Sequence, residues 1–212
     1  VAGYADSVFT GDAESIWPNV IEDARNGNLR PKYEGGVGTP QPGILPRRDL
    51  YAGKNYLPVS LIQFGRGCRF QCEFCAVSKY FGHCNYTRPV NEVIAEISAQ
   101  HRKELFFVDD NLISNPEAAK ELLRALIPLR VRWVSQASID QTRDDELMDL
   151  LEASGCLGNV IGFENLDIEN LKQMKKGANL AAFDGYAAAV AKLRDHHLQT
   201  WSAFALGYDH DT

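Results

Sequence analysis

Three cysteines stand at C-x3-C-x2-C spacing. They are Cys68, Cys72 and Cys75, in the run Gly65-Arg66-Gly67-Cys68-Arg69-Phe70-Gln71-Cys72-Glu73-Phe74-Cys75. Thiolates are soft ligands that suit zinc and iron–sulfur clusters. Structural zinc takes four ligands, commonly as two pairs, and three cysteines do not split that way. A cubane of four irons normally takes four thiolates. Three thiolates leave one iron open, and an open iron can bind a substrate or a second cofactor. Gly65 and Gly67 suit a backbone that wraps such a group, because glycine takes positive φ and permits close approach. Two further cysteines stand alone. Cys84, beside His83, is the one rival for a fourth ligand, though its distance from Cys75 matches no usual cluster spacing. Cys156, after Gly155, reads as a buried core thiol. An odd, clustered set of five cysteines is not a disulfide framework. It points to a metal in a reducing, cytoplasmic compartment.

Other chemistry-bearing side chains fall where strands are expected to end. Asp109, Asp110 and Asn111 follow Phe107-Val108, and two carboxylates with an amide suit a cationic amino group. Strand alternation puts Asp109 and Asp110 on opposite faces, and which points inward stays open; a helix cap or solvated turn is the plainer alternative. Gln136 and Ser138, two apart, share one face, either at a barrel mouth or in a satisfied buried hydrogen bond. Glu164 follows Ile161-Gly162-Phe163 and could meet hydroxyl groups, a substrate proton or only solvent. Gly207, in Ala205-Leu206-Gly207-Tyr208-Asp209, would admit a flat ring or merely mark a turn. Arg66, Arg69 and Arg88 surround the cysteine run; cations favour thiolates, and Arg69 reads better as a solvated loop residue. His196 and His197 read as helix-end or surface residues.

These positions need a scaffold. The 212 residues are 45% hydrophobic and 24% charged, enough for one good core and part of a second. The net charge of −6 offers no electrostatic grip on nucleic acid or an anionic membrane. No apolar run approaches the roughly 18 residues of a membrane span, and residues 1–10 lack the features of a signal peptide. A short strand at 8–10, a turn and a helix over 15–24 come first. Residues 28–57, rich in Gly, Pro and charge, read as a linker. The main domain then alternates. Strands are expected at 59–64, 105–108, 131–139, 160–163 and 201–206, with helices at 91–101, 116–127, 144–153, 168–174 and 180–197. Short apolar strands between helices suit a covered parallel sheet, either a βα barrel or a doubly wound sheet. In both, chemistry gathers at the carboxyl ends of the strands.

The cysteine spacing, with aromatic Phe74 before the last cysteine, on the loop after the first strand of a repeating β/α domain, resembles the radical S-adenosylmethionine (SAM) superfamily. The resemblance implies an α/β fold, a partial (βα) barrel with about five of six parallel strands present. It implies a [4Fe-4S] cluster on Cys68, Cys72 and Cys75 whose open iron chelates SAM. Reductive cleavage of SAM would give a 5′-deoxyadenosyl radical that abstracts hydrogen from a small-molecule substrate, with a reductant such as flavodoxin or ferredoxin supplying the electron. Phe74, Asp109, Asp110, Asn111, Gln136, Ser138, Glu164 and Gly207 would contact the cofactor.

Thr10-Gly11-Asp12-Ala13-Glu14, Trp17-Pro18 and Tyr33 are similar to the end of the cobalamin-binding domain of one large subfamily, in which Asp-Asp-Asn replaces the usual Gly-Gly-Glu. That implies a fragment of three parts: residues 1–27 a Rossmann-type cobalamin-domain remnant, 28–57 a linker, and 58–212 a radical SAM core truncated at its C-terminus. Cobalamin would bind in the full-length protein, through an upstream D-x-H-x-x-G motif. A closed-cluster electron-transfer protein and a zinc-bearing structural module are the competing readings.

Overall fold

A computed structural model describes residues 3–100 and 102–211. Val1, Ala2 and Thr212, at the outer limits of the expected segments, and His101, the expected end of one helix, lie outside them. In chain order the elements are β1 Val8–Thr10, α1 Trp17–Arg25, β2 Lys32–Glu34, β3 Ser60–Ile62, β4 Gly65–Gly67, α2 Ala76–Tyr80, β5 Asn85–Thr87, α3 Val90–Ser98, β6 Glu104–Phe107, α4 Pro116–Leu126, β7 Arg132–Ala137, α5 Asp145–Ala153, β8 Cys156–Glu164, α6 Ile168–Gln173, α7 Gly177–Ala182, α8 Tyr186–Asp195 and β9 Gln199–Phe204.

Helix starts follow from local chemistry. Asn115 caps α4 by accepting from Ala118 N, with Pro116 in the first turn. Asp144 caps α5 through Leu147 N, and Asp167 caps α6 through Glu169 N and Asn170 N. Each cap fixes where a helix leaves its strand, and so where the strand end stands.

Five strands form one parallel sheet in the order β3-β6-β7-β8-β9. That order is their order along the chain. A doubly wound sheet reverses at a switch point, and this one does not. Right-handed crossovers without reversal put the covering helices on one face and leave the other concave. The sheet is therefore a partial (βα) barrel. Ile62, Phe107, Trp133 and Ile161 from the strands pack with Val93, Leu122, Leu126, Leu147 and Leu151 from α3, α4 and α5 in one apolar core. Phe107 and Trp133 meet edge to face at 5.3 Å. The one polar atom of the Trp133 ring, Nε1, donates to Ser154 O at 3.1 Å.

The N-terminal segment is more ordered than expected. β1 and β2 pair in parallel, Phe9 opposite Tyr33, with α1 between them. β2 falls within the stretch read as linker. Tyr33 is buried and donates its hydroxyl to Asp23 Oδ2 at 2.7 Å, an anchor that a three-residue strand between Gly and Pro does not announce by periodicity. Among the described residues, no helix is long and apolar enough to cross a membrane.

Candidate metal centre

The cysteine run is shaped before it reaches any ligand. β4 and β5 pair antiparallel across the cysteine run and α2, Gly67 opposite Asn85, a pairing of strands too short to be read from sequence. Gly67 has φ +84, and a Cβ there would collide with the Cys84 carbonyl and the Phe81 ring, so the position requires glycine. After the turn, Cys75 N donates to Cys72 O at 3.2 Å, and Cys75 opens α2. Ser78 Oγ donates to Phe70 O at 2.8 Å, and Glu73 N to Met174 O at 2.9 Å. The run is thereby fixed at both ends and in the middle.

The tip of β6 supports it from beneath. Asp109 is 2% exposed, and its carboxylate accepts from Phe64 N at 3.0 Å and Gly65 N at 2.5 Å. It does not line the cavity described below. Asp109 braces the backbone entering the cysteine run. Burial pushes its carboxyl up to about 7, against the two backbone donors and with the charge of Asp110. Asp109→Asn is expected to destabilise the fold by about 1–3 kcal/mol, since an amide oxygen replaces two acceptors with one and turns an N–H toward a donor. Urea unfolding checks this; an unchanged midpoint would show that the brace carries no stability.

Asp110 turns the other way. Its Oδ2 accepts from Gly67 N at 2.8 Å, and its side chain reaches the cavity. Asn111 is buried, with Nδ2 3.5 Å from Cys68 Sγ and 3.0 Å from Ser138 Oγ.

One cavity of about 270 Å³ gathers most of the expected residues. Cys68, Cys72, Cys75 and Phe74 line it from the cysteine run. Asp110 and Asn111 reach it from the end of β6, Gln136 and Ser138 from the end of β7, and Glu164 from the end of β8. Gln136 and Ser138 thus share a face, as their spacing required. Glu164 sits at φ +64, a left-handed conformation unusual for a non-glycine residue, beside a register shift between β8 and β9. Gly207 lies outside the cavity wall. Its N–H donates to Asp211 Oδ2 at 2.6 Å and closes a turn.

Lys176 is the residue missed from sequence. It lines the cavity, pairs with Glu164 at 2.7 Å and lies 5.7 Å from the centre of the Phe74 ring. Burial pushes the Cys72 thiol up, the Lys176 charge works against that, and Cys68 and Cys75 add to it. The arginines around the run face elsewhere. Arg66 pairs with Asp12 and Glu14, Arg69 with Asp140, and Arg88 with Glu96. Arg69, expected to be solvated, is also fixed through its backbone N–H to Ser114 Oγ at 2.8 Å.

The donor set fits a polynuclear cluster. Three thiols line one concave wall. A cluster lets each thiolate take a different iron, whereas tetrahedral zinc gathers its ligands around one point. Cys84, the rival fourth ligand, is exposed, turns its Sγ to Gly82 O and does not line the cavity.

The chain is similar to bacteriochlorophyllide d C-12(1)-methyltransferase of Chlorobaculum tepidum, at 29% identity over 99% of this chain and 48% of that protein. It is similar to the uncharacterized methyltransferase sll1242 of Synechocystis sp., at 30% identity over 97% of this chain and 40% of that protein. The chain thus spans about half or less of the length of these curated relatives. Among solved structures, the radical SAM methyltransferase TsrM of Kitasatospora setae, with cobalamin and a [4Fe-4S] cluster bound, shares the fold. The TM-score is 0.61 at 23% identity, over 69% of this chain and 30% of that one. Residues 62–211 match the family model of the radical SAM superfamily, to which this chain therefore belongs.

Proposed function

We propose that this chain is the catalytic core of a radical SAM enzyme that binds a [4Fe-4S] cluster through Cys68, Cys72 and Cys75 and acts on a small molecule. The observation that carries the reading is the convergence of the three thiols with polar side chains from three successive strand ends on one cavity. When bound, the cluster on Cys68, Cys72 and Cys75 would supply an electron for reductive cleavage of SAM, whose 5′-deoxyadenosyl fragment would take hydrogen from the substrate.

The chain's own residues prepare that cavity. Asp110 offers a carboxylate oxygen to a cationic amino group while holding Gly67 N–H. Gln136 and Ser138 offer an amide and a hydroxyl from adjacent inward positions. The Glu164–Lys176 pair is a preformed acid and base of opposite charge. A ligand carrying both a carboxylate and hydroxyls would find a cation for the first and an acceptor for the second. Phe74 gives the cavity an apolar wall beside these charges.

The names of the relatives favour methyl transfer, with cobalamin as the methyl carrier in the whole protein. Residues 1–27, with β1 and α1, are read as the end of a cobalamin-binding-like domain, residues 28–57 as the connection and 58–212 as the radical core. A low-potential reductant such as flavodoxin or ferredoxin is the expected electron donor.

Anaerobic reconstitution with iron and sulfide is expected to give about four irons per chain. Adding SAM is then expected to shift the electron paramagnetic resonance signal of the reduced protein. Bound zinc without iron, or a signal indifferent to SAM, would overturn the proposal.

A further inference from the structure

We infer that Asn111 tunes the electron affinity of the cluster through a hydrogen bond to the Cys68 sulfur. The inference rests on the proposed cluster and concerns a property that cysteine spacing does not determine.

Asn111 stands two residues beyond the brace at Asp109, on backbone held tightly to the neighbouring strands. Its Nδ2 lies 3.5 Å from Cys68 Sγ and 3.0 Å from Ser138 Oγ. An amide nitrogen carries two hydrogens, so one serves each partner. The same assignment suits a ligating cysteine: a thiolate has no proton to give and can only accept. At 4% exposure, little water competes for the bond. Hydrogen bonds to cluster sulfurs are one of the means by which a protein sets a cluster's potential. The donor withdraws electron density from Cys68, which favours the reduced and more negative cluster. Ser138 holds the amide in place, so the two strand tips β6 and β7 fix the donor's direction together.

The opposite end of the amide is a separate observation. Asn111 Oδ1 is buried and has no hydrogen-bond partner among the described residues, and the residue lines the cavity. Buried acceptors are normally satisfied.

The experiment is spectroelectrochemistry of the reconstituted wild-type protein, Asn111→Leu and Asn111→Asp, with mediator dyes and without SAM. Iron content is measured on each sample first. Leucine removes the donor at similar volume, and aspartate replaces it with an acceptor of the same shape. The midpoint potential is expected to fall from wild type to Leu and further to Asp. The Leu variant should show at least a tenfold lower ratio of reduced to oxidised cluster at fixed potential, a shift of about 59 mV for a one-electron couple. Equal potentials in wild type and a variant with full iron content would overturn the inference and leave the proposed function intact. If leucine prevents iron loading, the aspartate variant decides by the same readout. A wild-type protein that takes up no iron would overturn both readings.

Discussion

Cys72→Ala is expected to reduce the reconstituted protein from about four irons per chain to fewer than one and to abolish SAM cleavage. Cys72 is the most enclosed of the three cysteines in the run, at 9% exposure. It also separates the two spacings of the motif, so no neighbouring thiol can replace it without unwinding the turn closed by Cys75 N and Cys72 O. Fold loss would not explain the result. The turn is held by backbone, and the removed sulfur contributes little to the apolar core. Circular dichroism should therefore match the wild type. Cys84→Ala provides the contrast: its side chain is exposed and faces Gly82 O, so iron content should be unchanged. If Cys72→Ala held a full complement of iron, or Cys84→Ala lost it, the ligand assignment would fall.

The cysteine site was legible in sequence because ligand spacing is local. Three thiols within one turn-rich run of eight residues need little help from the rest of the fold to line one cavity. The alternation of short apolar strands with capped helices was legible for the same reason. What depended on which strand ends meet was not. Asp109 and Asp110 are neighbours with equal chemistry, yet one braces Phe64 and Gly65 while the other lines the cavity. Only the position of β3 beside β6 separates them. Lys176 lies in a short link between α6 and α7 and reaches the cavity by pairing with Glu164, twelve positions away. A lysine before glycine carries no sign of that.

β8 runs over nine residues, against an expected core of 160–163. Gly158 and buried Asn159 break the apolar run that marks a strand. Both have structural reasons. A Cβ on Gly158 would strike the Gln199 backbone, and Asn159 donates to Ser135 Oγ at 2.9 Å while accepting from Gln141 Nε2 at 3.3 Å. Sheet pairing selected residues there that hydrophobic patterning reads as a loop.

The same sheet decides how firmly the site is held. Trp133→Ala is expected to cost about 3–5 kcal/mol, the usual loss for removing a buried tryptophan. Small domains rarely have more than about 5–15 kcal/mol in total. Trp133 is fully buried near the start of β7 and meets Phe107 on β6 edge to face. Its removal opens a cavity between the two strands whose tips carry Asn111 and Ser138, and leaves Ser154 O without its donor. The melting temperature should fall by roughly 6–20 °C, at about 2–4 °C per kcal/mol for a chain of this size. Trp133→Phe keeps a ring against Phe107 and loses chiefly the N–H, so its loss should be nearer 1–2 kcal/mol. A drop of less than 2 °C for alanine would mean that β6 and β7 are held by their ladder and not by this contact. A large drop for alanine with a small one for phenylalanine would assign the support of the site to ring packing beneath it. The Asn111–Ser138 bond would then depend on a side chain on the opposite face of the sheet, touching neither residue, and the metal centre's geometry would be as much a property of the core as of the motif.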